Sequence, residues 1–146
     1  MEIKPITDND DLWYPVMEYA KSCSWRAGLF LARQMQNNGF ADWERVFVAT
    51  EGASIAGYCT LAKMDCIPDV PYTPYIGFVF VGEEYRGCRL SERMIKYAAD
   101  YAKKIGFAKV FLVSGEKGLY EKYGFIKIED KKDIWGNDEQ IFYKET

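Results

Sequence analysis

The stretch from Val79 to Gly106 constrains the fold of this chain more than any other. It opens apolar (Val79-Phe80-Val81), turns through Gly82 and the pair Arg86-Gly87, and then changes period. From there Leu90, Met94, Tyr97/Ala98, Tyr101/Ala102 and Ile105 recur at helical spacing. Arg93, Lys96, Asp100, Lys103 and Lys104 occupy the opposite face, and Gly106 reads as the stop. The two last-turn lysines complement the negative pole of the helix dipole. The stretch is therefore a strand, a short turn and a helix whose first amides point back toward the strand's end. Such a terminus binds anions, because several N–H groups lack internal partners and the dipole adds partial positive charge.

The chain has 146 residues, enough for one domain (1–146) with a core that needs no metal or disulfide. Its net charge of −3 argues against a nucleic-acid partner and leans slightly toward a cationic substrate. No apolar run reaches the roughly 20 residues that cross a bilayer, and Met-Glu-Ile-Lys-Pro lacks the regions of a signal peptide. No membrane partner and a cytoplasmic location are the expectations. Cys23, Cys59, Cys66 and Cys88 contain no C-x-x-C pair and the chain has no histidine, which argues against a zinc site. The missing histidine also removes Ser-His and Cys-His nucleophiles.

Taken in order, Met1 to Ile6 reads as a first strand. A helix follows, capped by Thr7 or Asp8, with Leu12, Val16, Met17 and Ala20 on one face. A second helix spans about 26–37 and carries Phe30, Leu31 and Met35. Residues 45–50 and 55–61 form a hairpin, with Gly57 marking a bulge or a close backbone approach. The loop containing Pro68, Pro71 and Pro74 leads into a strand over 75–81. After the long helix come a strand over 109–113, a short helix over 119–123 and a last hairpin of 125–129 with 140–144. The fold class is α+β: a central mixed, mostly antiparallel sheet of six to seven strands flanked by about four helices. One parallel, right-handed crossover lies near its middle.

Two motifs in this layout carry a resemblance. The first is Val81-Gly-Glu-Glu-Tyr-Arg86-Gly87-Cys88-Arg89-Leu90-Ser91; the second is Leu119-Tyr120-Glu121-Lys122-Tyr123-Gly124-Phe125. Together they resemble the GNAT superfamily of acyl-CoA-dependent N-acyltransferases, with its strand-turn-helix pattern Gln/Arg-x-x-Gly-x-Gly/Ala and its late Tyr-x-x-x-Gly-Phe element. The match extends over nearly the whole chain. Arg89 stands where the family usually has glycine, and Ser91 where it has glycine or alanine. The Arg89 side chain has three courses open to it: away from the turn, onto phosphates, or against Glu92 or Glu121.

The resemblance implies acetyl-CoA as cofactor. Its pantetheine would pair with the backbone of Phe78, Val79, Phe80 and Val81 as an added strand does. Its pyrophosphate would rest on amides of Arg86, Gly87, Cys88, Arg89, Leu90 and Ser91. Tyr120 matches the position of the family's acid, and a phenol still holds its proton at neutral pH. The strand over 75–81 has no glutamate, so the base falls to Asp65, with Glu83, Glu84 or ordered water as alternatives. Trp25, Tyr72 and Tyr75 are expected as walls of the acceptor pocket. The implied activity is N-acetyl transfer to a primary amine of a small molecule or peptide. The rival is a non-catalytic acyl-CoA-binding or regulatory module of the same fold. The last hairpin offers a surface for a homodimer, though no residue argues for one.

Overall fold

The computed structural model describes the whole chain, Met1–Thr146. Seven strands form one sheet: β1 (Glu2–Ile6), β2 (Arg45–Glu51), β3 (Ser54–Ala62), β4 (Tyr75–Val81), β5 (Lys109–Ser114), β6 (Ile126–Lys132) and β7 (Asp138–Glu145). Their spatial order is β1-β2-β3-β4-β5-β7-β6, antiparallel throughout except where β4 meets β5. The helices are α1 (Trp13–Ser22), α2 (Gly28–Gln36), α3 (Leu90–Lys104) and α4 (Leu119–Lys122).

Alternation along β2 explains how both faces are covered. Val46 and Val48 pack with Val16, Ala20, Leu31 and Met35 of α1 and α2, whereas Phe47 and Ala49 pack with Leu90, Met94 and Ala98 of α3. A strand whose successive side chains enter opposite cores reads as a continuous apolar run, as β2 does. Burying a large aliphatic side chain is worth roughly 1.5–3 kcal/mol, so the inward faces of α1, α2 and α3 hold the layers together.

Two expectations about the helices need correcting. Neither Thr7 nor Asp8 caps α1, which starts later, at Trp13. The Thr7 amide donates to Asp10 Oδ2 (2.7 Å), and two successive turns carry the chain to the helix. Phe30 lies outside the apolar face of α2 and is exposed, while Leu31 and Met35 are buried. Gly57 stands at a close approach, for a Cβ there would come 2.5 Å from the Phe80 carbonyl oxygen. The β2–β3 register also slips next to it, where Ala49 faces Gly57 but Thr50 faces Ile55.

Candidate active site

The site starts from an irregularity in β4. Tyr58 of β3 faces Phe80 and Thr60 faces Gly77, so Phe78 and Val79 together stand opposite Cys59. Two residues against one is a β-bulge, and Phe78 takes the left-handed conformation it requires (φ 48°). The bulge inverts the side-chain phase: Ile76 packs on the α3 face, but Phe78 and Phe80 pack on the α1–α2 face. On its other edge β4 pairs with β5 only where Tyr75 faces Phe111. Beyond that point the strands diverge, and the β4 edge that faces β5 is left open. A cleft of about 1050 Å³ lies here, with Gly77, Phe78 and Val79 on one wall and Leu112, Ser114 and Tyr120 on the other.

At the far end of β4 a 3-10 turn (Glu83–Tyr85) leads to the start of α3. Arg86 N–H is bonded to the Glu83 carbonyl, and the next internal amide bond is from Arg93 to Arg89. The amides from Gly87 to Glu92 donate to nothing in the protein. Gly87 (φ 87°) and Arg89 (φ 62°) are both left-handed, which folds the amides toward one side. Arg86 turns inward; its Nε donates to the Val81 carbonyl (3.0 Å) and its guanidinium lies over the Phe80 ring. Arg89 turns outward, 83% exposed, with Glu92 as its ion-pair partner at 3.4 Å. Ser91 Oγ meets the Tyr123 hydroxyl at 2.9 Å, which ties α3 to the residue just after α4. The Cys88 thiol donates to the Tyr85 carbonyl (2.9 Å) and is exposed. Leu90 is buried in the core. The side chains that replace the small residues of the motif thus leave the amides uncovered.

Tyr120 is half-buried against Phe125 and Phe142 on the β5 side of the cleft. Burial, and after it the charge of Glu116, pushes its phenol up to about 12, against a weaker opposing pull from the Ser114 hydroxyl. Asp65 lies beyond the end of β3, in the proline-rich loop, and lines the same cleft. Its Oδ1 accepts from the Cys66 amide (2.6 Å), and a Cβ added to Gly77 would come 2.9 Å from Oδ2. The absent side chain at Gly77 is what lets this carboxylate reach the cleft floor. Burial raises the Asp65 pKa above the ordinary carboxylate range, against the lowering effect of the Cys66 bonds. Glu83 and Glu84 lie on the exposed 3-10 turn and do not line the cleft.

Trp25 and Tyr75 line the cleft, but Tyr72 does not. Its ring stacks on Phe111 (5.0 Å) and its hydroxyl donates to Glu129, because the loop carries it to the β6 side. Several lining residues were not assigned to the site by sequence reasoning: Phe30, expected only as a helix residue, and Glu116, Asp133, Trp135 and Glu139. They come from α2, the β5–α4 connection, the β6–β7 loop and β7. The one local signal was Asp133-Ile-Trp-Gly-Asn137, a loop built by the Asp133 carboxylate, which accepts from the amides of Trp135 and Asn137 (2.9 Å each). Ile134 N–H donates to the Cys66 carbonyl (3.0 Å) and so fastens this loop to the proline-rich one.

Solved structures with this architecture are numerous. The aminoglycoside 6'-N-acetyltransferase from Enterococcus faecium superposes with a TM-score of 0.74 at 13% identity, over 99% of this chain and 97% of that one. A GNAT family acetyltransferase from Elizabethkingia anophelis, with acetyl-CoA bound, gives 0.69 at 18%, over 99% and 97%. An acetyltransferase from Streptococcus agalactiae gives 0.67 at 20%, over 99% and 98%. At these identities the likeness shows a shared fold. No curated protein matches in sequence. The family model for the acetyltransferase (GNAT) family matches residues 10–125, from the first helical layer to the phenylalanine that ends the second motif. The chain belongs to the GNAT acetyltransferase family.

Proposed function

We propose that this protein is an acetyl-CoA-dependent N-acetyltransferase acting on a primary amine of a small molecule or peptide. One observation carries the reading: an open β4 edge and the Tyr120 phenol border the cleft where β4 and β5 diverge, and a run of unpartnered amides follows the end of β4. The residues fit acetyl-CoA. The β4 edge at Phe78–Val81 offers backbone donors and acceptors to the pantetheine amides, and the amides from Gly87 to Ser91 offer donors to the pyrophosphate. The neighbour from Elizabethkingia anophelis with acetyl-CoA bound supports the same assignment.

Bound acetyl-CoA would supply a thioester whose carbonyl carbon forms a bond to an amine nitrogen while its bond to sulfur breaks. The chain's own residues must then manage two protons and one charge. An alkylammonium with a pKa near about 10.4 has to lose a proton before its nitrogen can react. Asp65 is the acceptor for it, and a carboxyl raised above its usual range is a better match to that task than an ordinary one. Amides on the open β4 edge steady the negative charge on the carbonyl oxygen. Tyr120 gives its proton to the departing sulfur and regains one from solvent as the cycle closes. A phenol at about 12 is fully protonated at neutral pH, as the role demands.

A calorimetric titration with acetyl-CoA and with desulfo-CoA tests the cofactor assignment, and thiol release with a panel of amines, amino sugars included, tests the transfer. Micromolar binding with thiol release supports the enzyme. Binding without release from any amine would leave an acyl-CoA-binding module. Absence of binding at millimolar ligand would make the turn a plain connection.

A further inference from the structure

The acceptor side of the cleft holds more negative charge than one proton transfer needs. Asp65, Glu116, Asp133 and Glu139 all line it, and the one cationic residue there is Arg26. None of these carboxylates takes part in an ion pair; the salt bridges of the protein lie elsewhere. Asp133 is committed to its own loop, through bonds from Trp135, Asn137 and Gly136 that outweigh its burial and hold it below the usual range. Glu139 has no such bond, and the bonds from Cys66 to Asp65 do not offset its burial. Burial, then the charges of Asp133 and Asp65, raises Glu139, and burial raises Asp65.

A separate observation at the same place points to a ligand. Tyr75, 2% exposed and on the cleft wall, has the sole buried side-chain polar atom in the protein without a hydrogen-bond partner. Burial, and after it the charge of Asp65, pushes its hydroxyl up to about 12. A buried hydroxyl without a partner is costly, and an N–H donor is one partner that would satisfy it. Above the carboxylates Phe30 and Trp135 meet at 5.8 Å across the mouth, from α2 and from the β6–β7 loop. Trp25 continues the aromatic wall inward, stacked on Phe80. Aromatic faces beside carboxylates attract ammonium groups and repel anions.

We infer that Glu139, Asp65 and the Tyr75 hydroxyl form an ammonium subsite, so that the acceptor is a di- or polyamine: one amine loses its proton and reacts while a second remains charged and anchors the molecule. This rests on the acetyltransferase reading for the reaction, but the binding it requires does not. A monoamine would satisfy one carboxylate and leave the other without a countercharge. An anionic or neutral acceptor would leave both.

The test is calorimetric titration of spermidine, cis-1,3-cyclohexanediamine and n-butylamine into the full chain, alone and saturated with coenzyme A. The diamine and triamine should bind at least about tenfold more tightly than the monoamine, the gain expected of one added charge-assisted contact. Added salt should weaken them more. Glu139→Gln should remove most of that advantage, raising the KM for the polyamine without moving the KM for acetyl-CoA. Tyr75→Phe, which takes away one oxygen, should cost about two- to fivefold by the same measure. Equal affinity for butylamine, indifference to Glu139→Gln, or no polyamine binding at millimolar concentration would each overturn the inference. Failure of coenzyme A to bind while spermidine does would instead sink the acetyltransferase reading and leave the subsite standing.

Discussion

The turn after β4 and the cleft beside β4 are made of different material. At the β4–α3 turn the groups on offer are backbone amides, aligned by two left-handed residues and a bulge. At the acceptor end they are side chains, brought from α2, the proline-rich loop, β4 and β7. A backbone site depends on conformation and tolerates most side chains that point outward, as Arg89 does. A side-chain site can be rewritten by single substitutions without touching the fold.

Tyr120 lines the cleft and is the proposed acid, so its removal should have the largest effect. Tyr120→Phe keeps the ring against Phe125 and Phe142 but removes the proton, and kcat should fall by about 10²–10⁴ with both KM values little changed. Steady-state kinetics with acetyl-CoA and the best amine decide this; unchanged turnover across pH would exclude the tyrosine as acid. Because the phenol is held near 12, it should contribute no alkaline limb below about pH 11.

The backbone end is tested by a change of conformation against a change of side chain. A Cβ at Gly87 would meet nothing within 4 Å, so only its φ of 87° opposes substitution. Gly87→Val forces a β-branched residue into that region at a cost of about 1–2 kcal/mol, or relaxes the turn; either way acetyl-CoA affinity should drop roughly tenfold. Cys88→Ala, one heavy atom smaller in an exposed place, should change it by less than about threefold. Equal losses by calorimetry would show that the thiol, and not the amides, makes the contact.

Asp65→Asn separates stability from function at the other end. The folded carboxyl is raised by burial, so the folded state holds a proton that the unfolded chain has released. Stability therefore falls as pH climbs from the ordinary carboxylate range through the folded value, and the loss persists above it. The asparagine keeps an oxygen for the Cys66 amide and removes the charge. Its melting temperature should exceed that of the parent at pH 7 and converge with it near pH 3. The acid limb of kcat/KM should disappear and the rate fall by about tenfold or more. A variant that loses stability at pH 7 with normal kinetics would make Asp65 a structural residue of its loop.

The same division governs what the sequence made legible. Strand-turn-helix order, the crossover and the turn residues could be read because they depend on local periodicity and on glycines at fixed offsets. The start of α1 could not, since Asp10 binds the Thr7 amide and delays the helix, a choice between neighbouring polar residues that propensity does not settle. The bulge at Phe78 left no mark either, because a left-handed aromatic inside an apolar strand is dictated by the register across from Cys59. Glu139, Trp135 and Phe30 escaped for a third reason: Phe30 is about a hundred residues from the other two, and only the folded sheet with its loops brings α2 and the β6–β7 loop to one opening. Tyr72 shows the converse, an aromatic beside cleft residues in sequence that the loop turns to the opposite side.

Arg89→Gly probes the smallest difference and the most specific one. It restores the family's usual residue at a left-handed position, where a non-glycine residue costs about 1–2 kcal/mol. Against that relief stand the added freedom of glycine in the unfolded chain, about 0.5–1 kcal/mol, and loss of the exposed contact with Glu92, a few tenths. The balance is within about 1 kcal/mol, a shift of a few degrees in melting temperature for a chain of this length. Acetyl-CoA affinity should move by no more than about threefold, since the guanidinium already points into solvent and covers none of the amides. A gain of tenfold or more would mean that the arginine obstructs the turn in solution, and a loss of that size that it swings onto the phosphates. Either result would make the cofactor end, like the acceptor end, a place where a side chain sets the affinity.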